Sequence, residues 1–154
     1  MTVRLLLIAM LLIPMIARAQ SAPPAIEIAD AWARASVGST GAVYLTIRNR
    51  GTVDDRLDTV TTPVAGQVQP HIDVDDGKVT RMMPLNAIDA KANSDEVLKP
   101  GGIHLMLTGL HEPLKAGTTI PVTLSFAHAG KIDLTVTVEK AGAMGPAPQG
   151  SGNP

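Results

Sequence analysis

The sequence predicts an all-β domain, an antiparallel sandwich or closed barrel, on three observations. Between residues 26 and 140 the chain is cut into short runs in which apolar and polar residues alternate; Gly, Pro, Asn and Asp separate the runs; and no stretch there carries a convincing helical period. One core is expected, because 154 residues suit one domain of ordinary size and the first nineteen read as a segment removed before folding.

That first segment, residues 1–19, has a positive start at Arg4, an apolar run over 5–16, and a small-residue site, Ala17-Arg18-Ala19, before Gln20. This is the tripartite secretory pattern. The apolar run falls well short of the ~20 residues that span a bilayer, and Pro14 interrupts it. A cleaved leader is therefore expected rather than an anchor, and with no Cys at the cleavage point a lipid-modified N-terminus is not expected. The mature protein is placed in a bacterial periplasm, without stable membrane insertion.

The clearest strands are 42–49, with Val43, Leu45 and Ile47 on one face, 121–127, with Val122, Leu124 and Phe126, and 132–139, with Ile132, Leu134, Val136 and Val138 set against Asp133, Thr135, Thr137 and Glu139. Half-buried strands of this kind stack as two sheets. Further strands are expected over 26–35, 55–62, 68–74, 78–83, 95–99 and 103–110. Residues 20–140 then form the domain. Residues 141–154 are Gly, Pro, Ala and Ser without an apolar pattern and read as a disordered tail.

Composition excludes whole classes of function. Lys and Arg number 13 against 14 Asp and Glu, a net charge of −1; loss of Arg4 and Arg18 with the leader leaves 11 against 14, or −3. Neither value is a footprint for nucleic acid or for an anionic membrane surface. Zero cysteines exclude disulfides, thiolate zinc sites, iron–sulfur clusters, Cys nucleophiles and the Cys-ligated blue copper centre. One Trp, one Tyr and one Phe do not make a stacking platform for single strands or sugars.

The chemistry concentrates in His and Met. Outside the leader the methionines are Met82, Met83, Met106 and Met144, and three of these four lie between His71 and Met106. In a strand over 103–107, Ile103, Leu105 and Leu107 share one face and His104 and Met106 share the other. Taken alone, that pair favours the plainer reading, a partly exposed His beside an incidental Met. Asp76-Gly77 is a two-residue turn signal. With those two residues as the loop, Asp75 pairs with Lys78, Asp73 with Thr80 and His71 with Met82, which brings the last two Cβ atoms to roughly 4.5–5.5 Å on one face. Two imidazoles and two thioethers without a carboxylate form a soft donor set that suits Cu(I), whereas Mg, Ca and Mn demand oxygen and Zn rarely takes Met. Thioether also forms no disulfide in an oxidising compartment.

His71, ten residues, Met82, twenty-one residues, then His104-x-Met106 resembles the motif of the periplasmic PCuAC copper chaperones. The segments Asp30-Ala31-Trp32-Ala33-Arg34, Ala42-Val43-Tyr44-Leu45-Thr46-Ile47-Arg48-Asn49, Asp54-Asp55-Arg56-Leu57 and Pro100-Gly101-Gly102-Ile103-His104-Leu105-Met106-Leu107 are similar to that family as well, so the resemblance covers about residues 26–140. It implies a cupredoxin-like antiparallel β-sandwich, a Greek-key barrel, that binds one Cu(I) near its surface through His71, Met82, His104 and Met106. It also implies delivery toward the CuA centre of cytochrome c oxidase, directly or with Sco-type partners. This chain departs from the family pattern in two places. Ile72 and Asp73 follow His71 where many relatives carry a second Met, and the tail holds Met144 and no His where some relatives end in a His- and Met-rich tail with a Cu(II) site.

Other residues are assigned plainer roles. Met83 alternates to the face opposite Met82 and is expected in the core; His111 and His128 are expected in solvated loops; Trp32 is expected in the core; Arg48 and Arg50 are expected on a solvated sheet edge. His111 with Glu112 or Asp133 has no nucleophile in fixed relation to it, so an enzyme is not expected. Three functions are consistent with these residues. The first is a monomeric periplasmic copper chaperone without turnover, the second a copper storage or detoxification protein, and the third a metal-free sandwich that serves as an interaction module.

Overall fold

The computed structural model describes residues 25–148. The expected leader, 1–19, lies outside the described residues, as do residues 149–154 of the expected tail. Among the described residues there are ten strands, no helix, and hence no helix long and apolar enough to cross a membrane. The strands are β1 (Ile26–Arg34), β2 (Thr40–Asn49), β3 (Asp55–Thr61), β4 (Ala65–Asp75), β5 (Thr80–Pro84), β6 (Ile88–Ala90), β7 (Ser94–Leu98), β8 (Ile103–Leu110), β9 (Thr119–Phe126) and β10 (Gly130–Glu139). Nine of them follow the alternating runs read in the sequence. The tenth, β6, has three residues, too few for an alternation to register.

Hydrogen-bonded order runs β5-β4-β8-β2-β1-β10-β9-β3-β6, with β7 paired to the second half of β2 while β8 pairs with the first half. Across the fold β3 packs against β4, and β6 against β7 and β2, so the two halves of this sheet face each other as a sandwich. Val43, Leu45 and Ile47 of β2 and Leu105 and Leu107 of β8 meet Leu57, Val122, Leu124, Val136 and Val138 of the other half, all essentially buried. Each fully buried side chain of this size stabilises by about 1.5–3 kcal/mol, and this apolar layer is the dominant favourable term. Antiparallel pairing holds throughout except where β1 meets β10, which run parallel. Arg48 and Arg50 are not on an edge: Arg48 lies in β2 and Arg50 directly follows it, and β2 is flanked by β1, β7 and β8. Their charges are met by Asp30 and Asp95 (3.7 Å each from Arg48) and by Asp95 and Glu27 (3.0 and 3.8 Å from Arg50).

Two buried polar side chains tie the loops at one end of the sandwich. Asn49 donates through Nδ2 to the Val53 and Ala90 carbonyls (2.9 and 2.8 Å) and accepts from Gly51 N–H at Oδ1 (2.9 Å), so every polar atom of its amide is engaged in holding the β2–β3 connection. Asp55 accepts from the N–H groups of Arg56, His128 and Ala129 (2.7, 2.9 and 2.8 Å), which fastens the β9–β10 turn to the start of β3. His111 and His128 are exposed, in keeping with loop roles. Residues 141–148 turn back on the domain: Arg34 donates to the Ala143 carbonyl (2.7 Å), and Ala147 N–H donates to the Glu139 carboxylate (3.1 Å).

Burial by itself would push the Asp55 carboxyl up, but the three N–H donors outweigh it and hold the group below the usual carboxylate range. A depressed folded-state value gives stability that is fully present above the unfolded value of about 3.9 and lost as pH falls through the folded value. Asp55→Ala is expected to lower stability by about 1–3 kcal/mol at pH 7, with a smaller deficit below about pH 3.9, measured by urea unfolding at both pH values. An equal deficit at both would show that the ionised form is not what matters.

Candidate metal centre

The site is assembled on the outer face of three adjacent strands. Because β8 buries Leu105 and Leu107, its pleat turns His104 and Met106 to the opposite face. β4 lies beside it in a register that sets His71 directly across from His104 and Gln69 across from Met106, and the two imidazole centroids are 6.1 Å apart. On the other flank Ala42 of β2 pairs with Met106, and Tyr44, two residues on, brings its ring to 6.3 Å from that of His104.

The β4–β5 hairpin has a different register from the expected one. Met82 pairs with Asp73 and His71 pairs with Pro84, so His71 and Met82 are not direct partners. The cause lies in the turn. Asp75 accepts from Gly77 N–H, and Asp76 accepts from the N–H groups of both Lys78 and Val79 (2.8, 3.0 and 2.9 Å), with Gly77 at φ 81°. These side-chain caps stabilise a loop of four residues, 76–79, in place of two. The slip is two residues, one full pleat, so Met82 keeps its expected face and becomes the diagonal neighbour of His71. Diagonal partners sit roughly 7–8 Å apart, close enough for a flexible Met to reach. Met83 does face the opposite way, but it is 51% exposed, since β5 is the terminal strand and extends past the core. It is therefore not a core residue.

Trp32 is buried yet lies outside the principal core cluster. A one-residue bulge interrupts β1 between Ala29 and Trp32, with Asp30 at φ 52°. Before the bulge Ile26 and Ile28 face the core; after it Ala31, Ala33 and Ala35 do, and Trp32 and Arg34 are turned to the site face. Trp32 stacks on Tyr44 (centroids 4.5 Å), and the Arg34 guanidinium lies over both rings, 5.8 and 5.5 Å from their centroids.

The result is an open concavity of ≈ 340 Å³ lined by Arg34, Tyr44, Asp73, Met82, His104 and Met106 among others. His104 is only 5% exposed although it faces away from the core, Met106 is half-buried, and Met82 is 52% exposed. A turn holds His104 in place. Gly101, at φ 75°, lets the chain reverse, and the Gly102 carbonyl accepts both the His104 Nδ1–H (3.1 Å) and the Asp73 backbone N–H (3.3 Å). A carbonyl can only accept, so Nδ1 carries the proton and Nε2 keeps its lone pair, as ligating imidazoles require. His71 does not line the concavity, and its Nδ1 is buried without a hydrogen-bond partner among the described residues. Such an orphan is uncommon and fits an atom reserved for another bond.

Sequence reasoning missed Asp73, Tyr44 and Arg34 here. Strand parity could have found Asp73, two residues from His71 on the same face, but Arg34 becomes visible only once the bulge is known. Among the described residues no three His, Asp or Glu side chains gather as a metal site; His104 has His71 and Asp73 as neighbours, and Met82 and Met106 line the same concavity.

Residues 26–138 match the model of the LpqE-like family, described as "Putative lipoprotein LpqE-like". The chain belongs to the LpqE-like family. It is 30% identical over 115 residues to "Putative lipoprotein Lxx21020" of Leifsonia xyli subsp. xyli, covering 74% of this chain and 69% of that protein. The 154 residues here contain no cysteine that could carry a lipid thioether. Among solved structures the fold is similar to the copper-bound PCuAC domain of PmoF2 (TM-score 0.66, 26% identity, 75% of this chain and 93% of that one) and to its apo form (TM-score 0.66, 27% identity, 79% and 94%). It is also similar to the Cu(I) form of DR1885 from Deinococcus radiodurans (TM-score 0.63, 26% identity, 78% and 81%). The resemblance to PCuAC domains and the all-β sandwich expected from the sequence both hold.

Burial pushes the Tyr44 phenol above its ordinary value; Arg34 opposes the shift and Asp73 adds to it. Since Tyr44 is the one tyrosine of the chain, its titration is read directly from phenolate absorbance. Arg34→Gln is expected to move the midpoint further up and Asp73→Asn to move it down. Shifts of the reverse sign would place these charges elsewhere.

Proposed function

We propose that this protein is an exported copper chaperone. It binds one Cu(I) through His71, Met82, His104 and Met106 and passes the ion on without catalytic turnover. The observation that carries the reading is the placement of all four side chains on one face of three neighbouring strands, β5, β4 and β8. Two neutral imidazoles and two thioethers favour the soft monovalent ion, and similarity to PCuAC domains, one of them copper-bound, supports the same cargo.

The unequal exposure of the donors suggests how copper leaves. His104 is clamped and buried, whereas Met82 stands half in solvent on the edge strand. An incoming donor displaces the Met82 thioether first, and the remaining three donors hold the ion until the acceptor has enough bonds to take it. Residues 1–19 would direct the chain to the periplasm, where it acts as a monomer. The acceptor is the CuA subunit of cytochrome c oxidase or a Sco-type assembly protein, an assignment supported by the family resemblance.

Anaerobic titration with Cu(I) against a competing chelator tests the site. One tight equivalent is expected in the parent and none in a folded variant carrying Met82→Leu, His104→Ala and Met106→Leu, with folding checked by circular dichroism. A well-folded parent that takes no copper would overturn the reading and leave the metal-free interaction module. Met82→Leu alone is expected to weaken binding by about tenfold, the loss of roughly 1.4 kcal/mol.

A further inference from the structure

One charged group on the site face has no part in the His and Met set. Asp73 pairs with Met82 across the hairpin, shares a face with His71, and places Oδ2 4.0 Å from His104 Nδ1, with its side chain 19% exposed. The carboxylates of Asp55, Asp75 and Asp76 are engaged by backbone N–H groups. Among the described residues no N–H donates to that of Asp73, whose backbone N–H alone is tied down, to Gly102. The Asp73 side chain lines the same concavity as His104, Met82 and Met106, so its charge faces the space those donors share.

We propose that Asp73 sets how the site divides its affinity between Cu(I) and Cu(II). This inference rests on the copper reading above. The donors His71, Met82, His104 and Met106 are all neutral, so with them alone Cu(I) leaves a charge of one on a half-buried site and Cu(II) a charge of two. Attraction to a fixed carboxylate scales with the charge of the ion, so Asp73 favours Cu(II) twice as strongly as Cu(I). Oxygen together with imidazole nitrogen is also the donor type that Cu(II) prefers, whereas the thioethers serve Cu(I). Arg34 is the opposing charge on the concavity, but its guanidinium is held over Trp32 and Tyr44 and bonded to the Ala143 carbonyl. Asp73, by contrast, lies against His104 itself.

Charge scaling makes the expectation quantitative. If removing the carboxylate costs a factor f in Cu(I) affinity, it costs f squared in Cu(II) affinity, and the ratio of the two constants, which sets the reduction potential, changes by f. The parent protein, Asp73→Asn and Asp73→Glu are compared. Cu(I) and Cu(II) affinities come from chelator competition, and the potential comes from a redox titration followed by the Cu(II) electron paramagnetic resonance signal. With f of about ten, Asp73→Asn is expected to lose about tenfold for Cu(I) and about a hundredfold for Cu(II). The potential then rises by about 59 mV, the one-electron equivalent of tenfold, and Asp73→Glu restores most of it. A larger Cu(II) loss than the square would place the carboxylate oxygen on the copper itself.

Equal losses for the two ions, or an unchanged potential, would overturn the inference. So would a parent that binds Cu(I) tightly and Cu(II) not at all, with the Cu(I) chaperone reading left standing. A parent that binds neither ion would overturn both. The substitution to Asn keeps the side-chain shape and the Asp73 N–H bond to Gly102, and thermal melting of the apo variants separates a folding defect from a copper effect.

Discussion

Leu105 and Leu107 are driven into the core by the largest favourable term in the fold, and a strand cannot bury alternate residues on one face without presenting the others on the opposite face. His104 and Met106 are therefore placed by hydrophobic burial they take no part in. The same constraint acts on β4, where Val68 packs against the core and Pro70 is buried across from Leu105, while His71 and Asp73 emerge beside His104. On β2, Val43 and Leu45 go inward and Tyr44 outward. A row of His, Met, Asp and Tyr side chains thus forms on the back of the core sheet, and its spacing is set by the ladder hydrogen bonds rather than by contacts among those side chains.

An outward face would ordinarily be wet, and a His there would be mobile. Here the bulge in β1 changes the outcome by turning Trp32 and Arg34 to the site side, where they build an aromatic and cationic layer against Tyr44. Asp30 accepts a left-handed backbone at the bulge, a conformation that Asp tolerates better than most residues. The Gly101–Gly102 turn covers the other side and fixes the His104 tautomer. The site is consequently graded, from a clamped imidazole within to an exposed thioether at the edge, and such a gradient suits retention and release of an ion better than a closed cage would.

Much of this was legible in the sequence, for a physical reason. Period-two alternation is a local property, and it located nine of ten strands and the shared face of His104 and Met106 without knowledge of any partner. Zero Cys and clustered His and Met restrict the choice of ion whatever the fold. The β5 register was not. Asp76-Gly77 is a good two-residue turn signal, but it competes with the Asx bonds of Asp75 and Asp76, and the balance between those turns depends on side-chain geometry that a turn propensity does not hold.

Fold class, strand positions and the shared face of His71, Met82, His104 and Met106 follow from residue type and short-range periodicity. The placement of His71 across from His104, of Met82 against Asp73, of Trp32 and Arg34 on the site face, and the burial of His104 emerge with the three-dimensional packing. Those outcomes rest on long-range pairing, one bulge and one turn carbonyl, each of which shifts or covers a strand without changing its local pattern.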